Sequence, residues 1–204
     1  NFAAMATGFN QALEIVNKLG DAISKAYAAA KEGAAMEYAA VKFDNLSRSI
    51  GTTSDLLLGD LKSATRGMMS DAQLMGSAGD LMALGLAKSH DEAVRLTNVA
   101  GALGMNMNQL VLTLTNQTTM RFDALGVSVD GFKEKVKGLE EAGMSASDAF
   151  KEAFLQQAED QIARVGSIAE TSAGQLMMME SAFANLGDAI KLQLATTFAG
   201  LAPV

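Results

Sequence analysis

The only proline among the 204 residues is Pro203, so no pyrrolidine ring removes a backbone donor or blocks a helix anywhere in residues 1–202. An average chain of this length would carry about ten. The residues present push the same way. Hydrophobic residues make up 49% of the chain and aromatics only 5%, with no Trp. Ala, Leu and Met, which abound, are strong helix formers, and the aromatics that favour strands are scarce. The predicted fold class is all-α. Long N- and C-terminal amphipathic, coiled-coil-like helices over 1–50 and 144–204 are expected to flank a compact set of short capped helices over 51–143.

The first segment carries a seam. Phe2, Met5, Phe9, Ala12, Val16, Leu19, Ile23, Ala26 and Ala30 alternate spacings of three and four residues. Such a stripe serves either an amphipathic helix packed on its own domain or self-association along a shared axis. After Gly33 the series Met36, Ala39, Phe43, Leu46 and Ile50 resumes in another phase, so this helix is expected to bend or change partners there.

Start signals follow in quick succession. Ser54 is placed as the cap of DLLLGDLKSATRG, and Ser70 and Ser89 stand three residues before Gln73 and Glu92, the reciprocal spacing of a capping box. Asn108 is assigned as the cap of QLVLTLTNQTTMRF, Asp130 of GFKEKVKGLEEAG, and Ser145 opens ASDAFKEAFLQQAEDQIARVG. Val111 to Thr115 mix β-branched content with partial alternation. They are read as helix, because a lone strand would have no partner for its backbone hydrogen bonds. The last run, from about Thr171, places Leu176, Met179, Phe183, Leu186 and Ile190 at three-four spacing, continuing more weakly through Gln193 and Thr197. Met177, Met178 and Met179 occupy successive helical directions, so at least one must leave any single seam.

Nothing here spells out catalysis. His90, the only histidine, follows a capping Ser and is expected as an exposed first-turn residue. Gly101 to Gly104 lack the Gly-Lys-Ser/Thr ending of a phosphate loop, and the adjacent carboxylates Glu140-Glu141 and Glu159-Asp160 diverge around a helix and are expected on solvated faces. No catalytic, cofactor-binding or metal site is assigned. With no cysteine, disulfides and thiolate sites are excluded. A net charge of −7 speaks against a nucleic-acid surface, which needs a clustered basic excess. No stretch of 18 uncharged apolar residues exists, so no spanning helix is expected. The chain opens at Asn1 directly into helical pattern, without Met or a leader-like segment, and reads as a piece of a longer polypeptide.

The run MSDAQLMGSAGDLMALGLAKSHDEAVRLTNVAGALGM, with TTMRFDALGVSVDGFKEK and SAGQLMMMESAFANLGDAIKLQLA after it, resembles the helical part of the tail tape measure proteins of long-tailed bacteriophages. The likeness lies in the rhythm of caps, small residues and Leu-Gly stops over about residues 43 to 199. The resemblance implies a structural, non-enzymatic protein of the virion that sets tail length, sits inside the tail tube or at its tip, and leaves ahead of DNA during ejection. It further implies assembly in the host cytoplasm and self-association as a homotrimer. Tail tube and tail tip or baseplate proteins and the host envelope are the implied partners, with no specific nucleic acid and no cofactor. The residues expected at the oligomer interface are Phe2, Phe9, Val16 and Ile23 at the start and Leu176, Phe183 and Ile190 at the end. An alternative from another class is a membrane-active, pore-forming or effector domain, suggested by the mean hydropathy of +0.15 and by the small-residue helix faces.

Overall fold

The structure is a computed structural model that describes residues 2–200, with the side chains of residue 14 and of 17–200. Among the described residues there is no strand, and the chain is all-helical. The helices are α1 (Phe2–Ser49), α2 (Ser54–Ala64), α3 (Asp71–Ala83), α4 (His90–Leu103), α5 (Met107–Asn116), α6 (Phe132–Glu141), α7 (Ala146–Val165) and α8 (Ser172–Ala199), with a 3₁₀ turn at Ile168–Glu170. The ambiguous stretch around Val111 to Thr115 is helical, as the lack of a partner strand required.

Contacts divide the chain into two compact units, one of Asn1–Tyr38 with Leu186–Val204 and one of Ala39–Asn185. The first joins the two ends of the sequence as an antiparallel helix pair. Tyr27 meets Phe198 edge-on, with ring centroids 6.1 Å apart, and Glu32 bridges to Lys191 at 3.1 Å. Gly33 lets the two backbones touch, since a Cβ there would lie 2.2 Å from the Lys191 carbonyl oxygen.

The second unit is built around one core. Leu57 and Leu61 of α2, Leu74 and Leu81 of α3, Leu96 and Val99 of α4 and Leu110 and Leu114 of α5 are buried together, and α1 adds Phe43. Leucines at three- and four-residue spacings put these side chains on one face of each short helix. At the other end of the core Phe122, between α5 and α6, packs edge-on against Phe132 of α6 at 4.8 Å and Phe154 of α7 at 5.4 Å. Edge-to-face rings of this kind add roughly 0.5–1.5 kcal/mol beyond their burial.

The caps show where residue-level reading holds. At α3 the Ser70 hydroxyl accepts from Gln73 N–H while the Gln73 side chain accepts from Ser70 N–H, a complete capping box. Ser89 caps α4, but Glu92 reaches past it and accepts from Lys88 N–H at 2.7 Å, so that box is open on one side. Ser145 caps α7 and its hydroxyl donates to Asp148. Three assigned caps are corrected. Thr53, not Ser54, caps α2, because the Ser54 hydroxyl is drawn to Asp44 at 2.8 Å. Asn106, not Asn108, caps α5, and α6 begins after Gly131 with no side-chain cap from Asp130. Gly104 ends α4 in the left-handed region at φ 65°, where a Cβ is disfavoured.

Candidate oligomer interface

Helix α8 has two distinct faces. In the antiparallel unit Asp188, Lys191, Ala195 and Phe198 form the stripe facing α1, with Lys191 bonded to both Glu32 and Asp188. Off that stripe lie Leu186 and Ile190, and further up the same helix Leu176, Met179 and Phe183. All five are exposed: Leu176 by 60%, Phe183 by 69% and Ile190 by 57%. The three-four spacing that marked them in the sequence therefore does not face the chain's own core. It lines an outer edge of α8. Of the three consecutive methionines, Met177 and Met178 are half-buried and Met179 is exposed, so one of them does leave the packed side.

Exposure on this scale is costly. Leu176, Met179 and Phe183 belong to the second unit and Leu186 and Ile190 to the first, and in each the large apolar side chains are more than half exposed. Ala182 and Ala189 flank the stripe and are exposed as well, while Glu180 is the one charge set among these residues.

Helix α1 supplies a second edge. Ala30 and Gly33 are buried in the antiparallel unit, and Ile23 and Leu19 on the same stripe are exposed. Ile23, one of the expected interface residues, is 55% exposed. Phe2, Phe9 and Val16 stand on α1, but their side chains lie outside the described residues. The structure thus shows four of the seven expected residues at the surface and brings none of them into a pocket. Sequence reading missed Tyr27 and Tyr38, both exposed on α1. They fall off the seam spacing, and aromatics among alanines were the only signal.

His90 opens α4 as expected, yet it is half-buried: Nδ1 lies 3.0 Å from Thr52 Oγ1 and Nε2 2.9 Å from Asp60 Oδ2. This corrects the exposed first-turn reading. A hydroxyl, imidazole and carboxylate in series resemble a nucleophile relay in outline, but none of the three lines the cavities around Met105, Gln157 or Phe132. What the chain of bonds does is tie the α1–α2 turn to α2 and α4. Glu159 and Asp160 diverge as expected, Asp160 exposed and Glu159 partly so, and each meets a cation of another helix: Glu159 bonds Arg95 of α4 and Asp160 bonds Lys135 of α6, each at 2.6 Å.

A ladder of ion pairs joins α4 to α7. Lys88 bonds Asp148 at 2.7 Å, Glu92 bonds Lys151 at 2.8 Å, and Arg95 holds both Glu152 and Glu159. The hydrogen bond from Lys88, helped by the Ser145 hydroxyl, holds the Asp148 carboxyl down at about 2. Burial pushes Glu92 up, but its bonds from Lys151 and the Lys88 backbone outweigh that and leave it below the usual range. Glu92 and Arg95, three residues apart on α4, were the legible part of this ladder, while Lys88 lies before the helix.

No protein-family model, curated protein or solved structure matches the chain. Among the described residues, no helix is long and apolar enough to cross a membrane, and no group of His, Cys, Asp or Glu is placed to hold a metal ion.

Proposed function

We propose that this chain is a structural, self-associating segment of a phage tail tape measure protein, in which α1 and α8 are coiled-coil-like spacers and the short helices form a compact node. The observation that carries the reading is the outer edge of α8, where Leu176, Met179, Phe183, Leu186 and Ile190 stand exposed at heptad spacing. In α8 the one basic residue, Lys191, is already paired with Glu32 and Asp188. A helix that lies on anionic lipid carries a cationic polar face, so a protein partner suits this edge better than a membrane does.

In this reading the copies lie side by side in the tail tube or at its tip, with Ile23 and the start of α1 extending the shared seam. Tube and tip proteins are the outer partners, and the span of the helices, about 1.5 Å per residue, is the property used. The protein acts by shape and assembly and performs no reaction. The test is the mass of the purified chain by light scattering, with Phe183→Asp and Ile190→Asp combined as the variant. A trimer that falls to a monomer with unchanged helicity is expected, since both positions are exposed and the monomer fold does not need them. A wild-type chain that stays monomeric at high concentration overturns the reading, and release of dye from liposomes by the wild type would move it to the membrane-active class.

A further inference from the structure

Charge pairing in the second unit is thorough, and one cavity stands out against it. Lys42, Lys62, Lys88, Arg95, Lys135 and Lys151 each lie within 3.2 Å of a carboxylate from elsewhere in the fold. Lys133 of α6 has no carboxylate partner among the described residues. Lys137, one turn on, has only Glu141 of its own helix at 3.6 Å, with both groups exposed. Like charges four residues apart share a helix face and repel each other. Both lysines line one cavity of about 370 Å³, where the loop after α5, helix α6 and the first turns of α7 meet.

Much of the remaining wall is apolar. Phe132 and Phe150, packed edge-on at 5.0 Å, and Val136 supply that part, and Thr118 and Thr119 add hydroxyls. Thr118 Oγ1 accepts from Met120 N–H, which leaves its own proton to donate. The loop that carries both threonines leaves α5 through Gln117 at φ 48°, a left-handed conformation that residues other than Gly, Asn and Asp rarely take. Strain of this kind gathers at ligand sites, where the surroundings hold it in place. Glu140 is the one carboxylate on the wall, so the wall has an excess of one positive charge. An apolar body with a single negative charge matches it, whereas the second charge of a phosphate would meet Glu140 uncompensated. The volume is near the lower end of the roughly 300–1,000 Å³ common for small-ligand pockets, which are likewise aromatic-walled with a few polar groups.

We propose that this cavity binds a small amphipathic carboxylate, its apolar body against Phe132, Val136 and Phe150 and its charge held by Lys133 and Lys137. The site does not rest on self-association through α8, and either can fail without the other. The test titrates the full ¹⁵N-labelled chain with three probes that share one apolar body: phenylbutyrate, phenylbutanol and phenylbutylamine. Saturable amide shifts at Gln117 to Thr119 and Phe132 to Lys137 are expected, with phenylbutyrate tighter than phenylbutanol by about threefold or more, the scale of an exposed ion pair. Lys133→Gln with Lys137→Gln alters two exposed positions and keeps good helix formers. It should bring phenylbutyrate down to the level of phenylbutanol and leave phenylbutanol unchanged. Absent shifts at these amides overturn the proposal. So does an alcohol or amine that binds as tightly as the carboxylate, or a double variant that holds phenylbutyrate as the wild type does.

Discussion

At the scale of single residues, polar groups act here mainly as ties between helices. Asp148 has its carboxyl held at about 2, against an ordinary 3.8, by the Lys88 hydrogen bond and then the Ser145 hydroxyl. A depressed folded-state value means that the ionised form favours folding, so this stability is present above the unfolded value and is lost as pH falls from about 4 to about 2. Asp148→Asn should therefore flatten the fall in urea midpoint over that window; an unchanged slope would place the acid sensitivity elsewhere. His90 makes a different tie. His90→Ala removes the bonds to Thr52 and Asp60 and should cost about 1–2 kcal/mol, read as a lower melting temperature. Both ties were hidden in the sequence, where Asp60 and His90 are thirty residues apart and only Ser89 and Ser145 announced themselves.

At the scale of elements, small residues decide which helices come close. An exposed glycine inside a helix usually costs about 0.5–1 kcal/mol against alanine. Gly59 of α2, with nothing within 4 Å of a built Cβ, should follow that rule, and Gly59→Ala is expected to raise stability by this amount. Gly33 should break it. A Cβ there meets the Lys191 carbonyl at 2.2 Å, and backbone cannot swing away as a side chain can, so Gly33→Ala is expected to loosen the α1–α8 pair. Amide exchange around Lys191 and Ala195 would report it, and protection equal to wild type would refute the contact. The break in seam phase at Gly33 was readable in the sequence as a bend or a change of partner. Before it α1 faces α8 through Ala30, and after it Phe43 enters the core of the second unit.

At the scale of the whole molecule, the question is what covers the apolar edge of α8. A chain that binds its own copies gains stability by mass action, so its melting temperature should rise with protein concentration. The same series on the Phe183→Asp, Ile190→Asp chain should be flat. A wild-type chain whose melting temperature ignores concentration would leave the edge of α8 without a partner of its own kind. The stripe is the clearest pattern legible in the sequence here, because heptad spacing is a local property of one helix. Which way it faces was not legible, since burial depends on where the other helices stop.

The amino-acid sequence by itself determined that the chain is helical, through its scarce proline and abundant Ala, Leu and Met, and it marked where three of the helices begin, through Ser70, Ser89 and Ser145. These are short-range matters, settled by propensity and by donors within one turn. Only the tertiary structure decided that the two ends of the chain pair with each other, that Phe122 joins Phe132 and Phe154, and that Phe183 and Ile190 are left outside. Each of those joins residues far apart in sequence, and spacing along a chain carries no information about which distant surface a given face will meet.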